Sequence, residues 1–331
     1  MKIMVLAAGL GTRFQPHTNQ TPKAALPFLN VPLAAFALQN ILPIEPKELI
    51  VNTFHLPTVV ENLFRVTLKS IGIPTSFSPE NNFIRGSGGG LKLAESFFEN
   101  EDHLILMNSD EVFLPKNPEF IQEAFAQHLS SGALSTLVTT SHPGVGTKFG
   151  GVWVNSANKV LGFGRQPLPG STQAQHFIGY QILSRRIFKY LKDDCDFNIL
   201  YDGLTNAFLA GEAASSFPVD GVWFETGSLC DYLDATQKTL RLLSQGTGPS
   251  AKFLRQLLVR WAPNSVLHIG ESKDVIWADS SARFMMDQVS GFAVLGPGSA
   301  IEPQVSVTES VVGPHLKISA DLIRELRLNS N

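Results

Sequence analysis

The sequence predicts an α/β fold built on a doubly wound, mostly parallel sheet. Short apolar runs typical of buried strands, such as Ile3–Ala7 and His103–Met107, alternate with helical patterns such as Thr58–Ser70. A loop of small residues follows the first run, and a second glycine-rich loop precedes the helical stretch Gly88–Glu99. Ligands of such folds bind at the carboxyl ends of the strands, so a site is expected at that edge of the sheet.

Length and composition indicate a soluble enzyme. The chain has 331 residues, of which 44% are hydrophobic and 17% charged, enough for a sizeable core. A formal net charge of -3 gives no electrostatic case for a nucleic-acid or membrane partner. Cys195 and Cys230 are too few for a disulfide framework, no signal peptide is recognisable, and no run reaches the ~18 apolar residues of a membrane span. A cytoplasmic location is therefore expected.

The loop after the first strand has the chemistry of a triphosphate site. Small side chains let a flat ligand lie against the backbone, where N–H groups can point at phosphate oxygens. Arg13 offers a planar fork for bridging phosphates, and Lys23 offers a compact point charge, so both are predicted to be catalytic. The residues predicted to bind the nucleotide here are Leu6, Ala7, Ala8, Gly9, Gly11 and Thr12.

Two other phosphate-binding loops fit this stretch less well. The dinucleotide fingerprint needs a third glycine where Phe14 stands, which weakens a dehydrogenase as an alternative. The Walker loop needs Gly-Lys-Ser/Thr at the start of a helix, and this stretch does not supply it. A loop specialised for another nucleotide chemistry is therefore favoured.

The opening stretch resembles the sugar-1-phosphate nucleotidylyltransferase (nucleotide-sugar pyrophosphorylase) family. That family opens with a strand, then Gly-x-Gly-Thr-Arg, a Pro, a Thr, Pro-Lys and Leu-Pro. The resemblance covers about Lys2–Leu243 and implies a Rossmann-like, GT-A-like catalytic domain, with the overall look of the mannose-1-phosphate guanylyltransferase-like branch. The matching positions are Gly9, Gly11, Thr12, Arg13, Pro16, Thr18, Pro22, Lys23, Leu26 and Pro27.

The second glycine-rich loop resembles the family's Gly-Thr/Ser-x-Gly segment, which covers the base and ribose. Gly86-Ser87-Gly88-Gly89 matches it, and Glu80 is the nearest counterpart of an acid that often precedes it. Glycines at a helix start cost roughly 1 kcal/mol each relative to alanine, which indicates a positional need. A flexible helix entry is the alternative. The residues predicted to bind the nucleotide are Glu80, Gly86, Ser87 and Gly88.

Two carboxylates are predicted to hold Mg²⁺. Asp110 follows a buried strand, and Mg²⁺ takes one or two carboxylates together with phosphate oxygens and waters. The resemblance adds Glu225, because Trp223–Ser228 stands where the family has Trp-x-Asp-x-Gly-Thr/Ser. Glu225 replaces the usual aspartate, and its additional methylene changes the reach of the carboxylate. A helix cap for Asp110 and a surface acid for Glu225 are the alternatives.

The residues that contact the sugar phosphate are assigned by the resemblance alone. The family's Phe-x-Glu-Lys-Pro corresponds to Phe163–Pro167, where Arg165 takes the place of the cation. A solvated Arg165 fits nearly as well. Gly150 resembles the glycine before the family's sugar-facing strand, and Gly179 lies in a segment matching aromatic-x-Gly-aliphatic. Gly150, Arg165 and Gly179 are therefore predicted to bind the sugar phosphate.

The chain is expected to divide into a catalytic domain, a linker and a C-terminal domain. The catalytic domain is placed at 1–243, with a sugar-binding insertion at about 150–220, and the linker at 244–250. Residues 251–331 carry aliphatic residues at roughly six-residue spacing, which resembles a few rungs of a left-handed hexapeptide β-helix. Such tails often mediate association, so a homo-oligomer is consistent with the sequence, which leaves the oligomeric state open.

The resemblance implies Mg²⁺-dependent transfer of a nucleotidyl group from an NTP to a sugar 1-phosphate, giving an NDP-sugar and pyrophosphate. GTP and mannose 1-phosphate are the favoured substrates. Uridylyl or thymidylyl transfer to another sugar 1-phosphate is the first alternative. A non-catalytic regulatory subunit that senses nucleotide sugars is the second, and the presence of Arg13, Lys23 and Asp110 together argues against it.

Overall fold

The structure, a computed structural model, describes residues 1–329, which pack as two compact units. The sheet unit comprises Met1–Leu10 and Ala37–Trp223, and the tail unit comprises Gly11–Phe36 and the residues from Phe224 onward. Ser330 and Asn331, which end the predicted C-terminal domain 251–331, lie outside the described residues. The predicted linker, residues 244–250, lies inside the tail unit and does not separate the two units. The division into a catalytic and a C-terminal domain at this linker therefore stays a prediction.

Strands and helices alternate through the first half of the chain, and strands dominate its end. The strands are β1 (Lys2–Leu6), β2 (Pro27–Phe28), β3 (Val31–Pro32), β4 (Glu48–Thr53), β5 (Thr75–Pro79), β6 (His103–Asn108), β7 (Val112–Pro115), β8 (Ser135–Thr140), β9 (Gly151–Val154), β10 (Val160–Gly164), β11 (Gln173–Ser184), β12 (Ala214–Pro218), β13 (Gly221–Phe224), β14 (Ser265–Ile269), β15 (Val275–Asp279), β16 (Val289–Leu295), β17 (Ala300–Ile301), β18 (Val307–Val312), β19 (Lys317–Ile318), β20 (Leu322–Ile323) and β21 (Leu326–Arg327). The α-helices are α1 (Leu33–Ile41), α2 (Pro57–Lys69), α3 (Gly86–Leu93), α4 (Phe120–Ser131), α5 (Thr205–Leu209), α6 (Leu229–Gln245) and α7 (Pro249–Trp261).

The sheet unit is built on a nine-stranded sheet in the order β10-β9-β11-β6-β1-β4-β5, with β8 beside β11 and β12 beside β8. Strands β6, β1, β4 and β5 are parallel neighbours, whereas β11 runs antiparallel to β6, β8 and β9. The mostly parallel sheet expected from the sequence is therefore a mixed one. Its direction changes because β9 and β10 form a hairpin that leads into β11, with no crossover helix to restore the parallel direction.

Strands β1 and β6 lie in the interior of the sheet and are apolar on both faces. Ile3, Met4 and Val5 in β1 are fully buried, as are Leu104, Ile105 and Met107 in β6. Leu6, at the end of β1, is in register with Asn52 of β4 on one side and with Asn108 of β6 on the other. The carboxyl ends of three strands therefore meet at one edge of the sheet.

Two segments differ from the expected secondary structure. Strand β7 lies directly after β6 and pairs with β13, a pairing that the sequence did not indicate. The sequence pattern of Phe197–Ala210 predicts an α-helix, but the structure has a π-helical segment, Ile199–Leu204, that continues into α5. The Oδ1 atom of Asn198 accepts hydrogen bonds from the backbone N–H groups of the next turn, and so begins the segment there.

A histidine pair is buried between α4 and the sheet. His103 Nδ1 lies 3.1 Å from His128 Nε2, and His128 Nδ1 lies 3.0 Å from the hydroxyl of Thr136. Burial of the His128 ring lowers its pKa to about 4, and the positive charges of His103 and Arg186 add to the shift. His128 is therefore neutral in the folded protein at pH 5, where an unfolded histidine is mostly protonated.

Acidification from pH 7 to pH 5 is expected to lower the free energy of unfolding by about 2 kcal/mol through His128 alone. The unfolded chain binds the extra proton over this range and the folded chain does not, so stability rises with pH between about 4 and 6.5. Urea unfolding at both pH values measures the change. The His128→Asn variant should lose about 2 kcal/mol of the pH dependence, and an unaltered dependence would contradict the assignment.

The tail unit contains parallel strands that pair in succession. Val275 of β15 is in register with Phe292 of β16, and Val307 of β18 is in register with Val289 of β16 and Leu322 of β20. Strands β17 and β19 form a second parallel pair. The side chains between these strands form one buried apolar cluster, which includes Ile276, Ala293, Val307, Val312 and Ile318.

Residues 11–36 are held within the tail unit by side chains from far along the chain. The indole N–H of Trp277 donates to the Leu29 carbonyl at 2.9 Å, and the Asn30 amide donates to the Leu295 carbonyl at 2.9 Å. The buried Tyr232 hydroxyl of α6 donates to the Pro27 carbonyl. Helix α6 itself packs on β15 and β18. The loop that carries Arg13 and Lys23 is therefore part of the same packed core as the tail strands.

No helix between residues 1 and 329 combines the length and apolar character that crossing a membrane requires.

Candidate active site

The sheet unit places one group of predicted residues at the carboxyl ends of β1 and β6. Leu6 and Asn108 are directly paired, and the backbone N–H of Ser109 donates to the Leu6 carbonyl at 3.2 Å. The small-residue loop after β1 and the carboxylate of Asp110 after β6 therefore leave the sheet side by side. Such an edge is where ligands bind in open α/β sheets.

Glu80 is a buried acid that connects two loops of the sheet unit. Its Oε1 accepts from the Asn52 amide at 2.6 Å and its Oε2 from the Arg85 backbone N–H at 2.7 Å. The Oδ1 of Asn52 accepts in turn from the Ala7 N–H at 2.7 Å. Both oxygens of Glu80 thus bind protein donors, so Glu80 fixes the position of the loop after β1. Its direct contact with a nucleotide stays a prediction.

The glycines of α3 allow two backbone segments to approach closely. The N–H groups of Gly88 and Gly89 donate to the Phe197 carbonyl at 2.7 and 3.1 Å. A Cβ atom on Gly88 would lie 2.9 Å from the Phe197 ring, and Gly86, with φ of +67°, faces Asp196. The Ser87 hydroxyl accepts from the Ile199 N–H at 3.0 Å. Packing against residues 195–199 therefore explains why glycine is needed in this loop.

A cavity of about 250 Å³ lies at this edge of the sheet unit. It brings together two predicted nucleotide-binding residues, Leu6 and Ser87, and one predicted sugar-binding residue, Gly179. All of its lining side chains are apolar or neutral and polar, so it suits an uncharged ring better than a phosphate group. The other lining residues are Leu106, Asn108, Phe177, Gln181, Asn198, Ile199 and Leu200.

Gly179 has φ of +79° and lies against Glu111, whose Cγ would be 2.5 Å from a Cβ atom at this position. The Glu111 carboxylate accepts from the Asn108 amide at 2.8 Å and from the Trp223 indole N–H at 2.8 Å. Only glycine fits this backbone conformation and this space. Glu111 therefore connects the end of β6 to the strand that carries Trp223.

Aromatic side chains surround Trp223. The rings of His176, His142 and Phe149 lie 4.1, 5.3 and 5.5 Å from its ring, measured between centroids. Burial lowers the pKa of His176 to about 4, and the charge of His142 adds to the shift. His176 is therefore neutral at pH 7 and packs as an uncharged ring against Trp223.

Asp110 is the predicted metal ligand of the sheet unit, and its side chain is half-buried. Among residues 1–329, no three His, Cys, Asp or Glu side chains converge as a metal site would require. The donors therefore do not form a closed protein cage. A single strand-end carboxylate fits Mg²⁺, which is bound by one or two carboxylates and otherwise by phosphate oxygens and waters.

In the tail unit, Arg13 lies on a 3-10 turn, Thr12–Phe14. Phe14 is buried against Tyr232, with ring centroids 5.5 Å apart, while the Arg13 side chain is exposed. Gly11 has φ of +61°, and a Cβ atom there would lie 2.8 Å from Thr18 Cγ2. Phe14 and Gly11 thus anchor the turn on which the exposed Arg13 stands.

The side chains of Arg13 and Glu225 both lie close to Gly227. A Cβ atom on Gly227 would lie 2.4 Å from Glu225 Oε1 and 2.8 Å from both terminal nitrogens of Arg13. The guanidinium and the carboxylate therefore face the same glycine. Lys23, half-buried on the turn Lys23–Ala25, belongs to the same unit. The other predicted metal carboxylate, Asp110, belongs to the sheet unit.

Gly9 and Arg165 lie in open surroundings, whereas Ala8 is buried and Gly150 has a close neighbour. Gly9 is exposed, and a Cβ atom there would meet no atom within 4 Å. Arg165 is also exposed. Gly150 lies beside Tyr201, whose hydroxyl would be 3.1 Å from a Cβ atom. No packing contact among the described residues explains why position 9 is a glycine.

A known family matches most of the chain. A sequence model described as Nucleotidyl transferase matches residues 2–241. The chain belongs to this family. The family resemblance inferred from the Gly9–Pro27 stretch is thereby confirmed, and so is an α/β fold around a parallel-rich sheet.

Named relatives of this nucleotidyl transferase act on two different bases. A UTP–glucose-1-phosphate uridylyltransferase from Synechocystis sp. is 26% identical over 252 residues, which cover 72% of this chain and 63% of the relative. A mannose-1-phosphate guanyltransferase from Debaryomyces hansenii is 24% identical over 376 aligned residues, covering 98% of this chain and 99% of the relative.

A solved structure shows the same fold. A UDP-glucose pyrophosphorylase from Acinetobacter baumanii superposes with a TM-score of 0.62 at 18% identity and covers 78% of this chain and 98% of that one. At this identity, the likeness concerns the fold of the nucleotidyl transferase and no individual contact.

Several residues of the candidate site are not indicated by the sequence motifs. Each of them is a polar residue in one of three positions: within an apolar strand, directly after one, or at the start of a helical segment. Gln181 is the clearest case, since it stands in the otherwise apolar run Ile178–Leu183. The missed residues are Asn52, Asn108, Glu111, Gln181 and Asn198.

Proposed function

We propose that this protein transfers a nucleotidyl group from an NTP to a sugar 1-phosphate, giving an NDP-sugar and pyrophosphate. The observation that carries the proposal is the cavity at the carboxyl ends of β1 and β6, where Leu6, Ser87 and Gly179 meet. In a member of the nucleotidyl transferase family, a neutral cavity beside a strand-end carboxylate suits a substrate that has an uncharged ring and charged phosphates.

The chemistry requires alignment and charge stabilisation. An oxygen of the sugar 1-phosphate attacks the α-phosphorus of the NTP, the bond to the pyrophosphate oxygen breaks, and pyrophosphate leaves in line. The attacking phosphate is already ionised at neutral pH, so no general base is needed. Arg13 would hold the leaving pyrophosphate, and Lys23 the α-phosphoryl group or the acceptor phosphate.

Mg²⁺ is the proposed cofactor. Asp110 is the residue that would hold it, and Glu225 is the proposed second carboxylate. When bound with the triphosphate, the ion would neutralise phosphate charge. Glu225 also faces Arg13 across Gly227, so this carboxylate would orient the guanidinium as well.

GTP and mannose 1-phosphate are the substrates we favour. The Debaryomyces hansenii guanyltransferase supports this choice because the similarity extends over 98% of this chain, including the tail. The uridylyltransferase supports UTP instead, over 72% of the chain. Uridylyl or thymidylyl transfer is therefore the second candidate.

Pyrophosphate release tests the function. The protein is mixed with Mg²⁺ and each of GTP, UTP, dTTP, ATP and CTP, against mannose, glucose and amino-sugar 1-phosphates. One active pair would establish the reaction and name both substrates. A blank grid, from protein shown to be folded by circular dichroism, would contradict the proposal and favour a regulatory subunit that senses nucleotide sugars.

The Gly9→Ala variant is expected to raise the KM for the NTP about tenfold or more while leaving the melting temperature unchanged. The added methyl group meets no protein atom, so any effect must come from a ligand that approaches the backbone. A matched control is Gly11→Ala, which places a Cβ atom against Thr18 at positive φ and should lower the melting temperature. An unchanged KM in Gly9→Ala would contradict a nucleotide contact at this loop.

The tail and the cellular setting complete the proposal. We propose that the successive parallel strands β15, β16, β18 and β20 form a short β-helix, which would provide a surface for self-association. The cytoplasm is the proposed location, in keeping with the two free cysteines. The catalytic division at 1–243 and the linker at 244–250 are retained as functional proposals.

A further inference from the structure

We propose that Gln181 is a specificity-determining residue that accepts a hydrogen bond from a hydroxyl group of the substrate's sugar. The inference rests on the proposed nucleotidyl transfer and names the part of the substrate that the neutral cavity holds.

Gln181 is a polar residue at a buried position between apolar neighbours in β11. It lies in the middle of β11, in register with Leu106 of β6 on one side and Leu137 of β8 on the other. Its exposed fraction is 1%. Apolar residues surround it in the chain, and a buried amide is destabilising unless both of its ends are hydrogen-bonded.

Only one end of the Gln181 amide is paired within the protein. Its Nε2 donates to the Ser135 hydroxyl at 2.8 Å, whereas its Oε1 is buried and accepts no hydrogen bond from the described residues. Gln181 also lines the cavity. An acceptor that is unpaired and belongs to a cavity-lining side chain is suited to a donor on a ligand.

Gln175 provides a contrast within the same strand. Its Oε1 accepts from the hydroxyls of Thr139 and Ser216, and its Nε2 donates to Asn158 at 3.3 Å. Gln175 is therefore a structural glutamine with both ends paired, and it does not line the cavity. Gln181 therefore differs from Gln175 in having an unpaired acceptor and in lining the cavity.

The lining of the cavity indicates which part of the substrate it holds. Ser87, Asn108 and Asn198 add neutral polar groups around Gln181, while Phe177 and Leu6 add apolar surface. A hexose ring has hydroxyl donors around its edge and C–H faces above and below, and it matches this mixture. The phosphates require cations, and the cavity lining has none.

Binding of paired ligands to the full chain tests the inference. Calorimetry compares GDP-mannose with GDP, and UDP-glucose with UDP, so that the difference within each pair isolates the sugar. The Gln181→Met variant keeps the side-chain length and removes the acceptor. We expect it to weaken binding of the NDP-sugar about three- to tenfold and to leave binding of the NDP unchanged.

The melting temperature separates this role from a structural one. Gln181→Met should melt close to the wild type, because it removes a buried unpaired acceptor together with the hydrogen bond to Ser135, and these two changes oppose each other. The control, Gln175→Met, breaks an internal network and should lower the melting temperature while preserving the ligand affinities. Loss of stability in Gln181→Met with unchanged affinities would overturn the proposal.

The remaining outcomes are also decisive. Equal weakening of NDP and NDP-sugar binding in Gln181→Met would place Gln181 at the nucleotide and overturn the sugar contact. A wild-type protein that binds no NDP-sugar more tightly than its NDP would overturn it too, whether or not turnover is seen. A protein without turnover that discriminates NDP-sugars through Gln181 would support the inference and contradict the proposed reaction.

Discussion

The Asp110→Asn variant is expected to turn over substrate at least about 1000-fold more slowly than the wild type. The substitution preserves size but removes the strand-end charge proposed to hold Mg²⁺ on the triphosphate, an effect worth several kcal/mol in the transition state. Initial rates of pyrophosphate release, measured at saturating substrate over a range of Mg²⁺ concentrations, give the change.

The matched control is Asp102→Asn, an exposed acid at the opposite end of the same strand, just before β6 begins. It should retain wild-type rates. Equal melting temperatures for the two variants would show that the fold is intact. Wild-type turnover in Asp110→Asn would exclude this carboxylate as the metal ligand.

The Gly227→Ala variant is expected to lose about 100-fold in kcat with little change in stability. The added Cβ atom would lie 2.4 Å from Glu225 Oε1 and 2.8 Å from the terminal nitrogens of Arg13. These atoms are the ends of flexible side chains, so they can move aside without disturbing the core. Displacing a guanidinium that is proposed to hold phosphate by about 1 Å is enough to reduce the rate by this factor.

Gly248→Ala is the control for Gly227→Ala, because it adds a methyl group in the same unit where no atom lies within 4 Å. Both proteins should unfold at similar temperatures, and only Gly227→Ala should be slow. If Gly227→Ala kept the wild-type kcat, the placement of Arg13 and Glu225 around Gly227 would have no catalytic importance.

The parallel part of the fold was predictable because its signal is local. Strands β1 and β6 are buried on both faces, so their sequences are short continuous apolar runs that end at glycine or at polar residues. Strand β7 was missed because it is short and its partner, β13, lies about a hundred residues away. The π-helical start at Ile199 was missed because it depends on the Asn198 cap and on contact with Ser87.

The candidate site was predictable where one backbone segment supplies the chemistry. One short stretch carries Gly9, Gly11, Arg13 and Lys23, and this pattern of small and basic residues predicts a phosphate-binding loop. Glu80 was identified as an acid near the glycine-rich loop, but its pairing with Asn52 was not predictable from spacing. Gln181 required the structure, because only the geometry shows which end of its amide is paired.

The packing of residues 11–36 against α6 and the tail strands has a consequence for biosynthesis. This segment leaves the ribosome early, but Tyr232, Trp277 and Leu295, which hold it, are translated about two hundred residues later or more. Contacts between such distant parts of a chain form late in folding. The nascent chain therefore gains an ordered Arg13 turn only after these distant partners emerge, so this loop is completed at a late stage of synthesis.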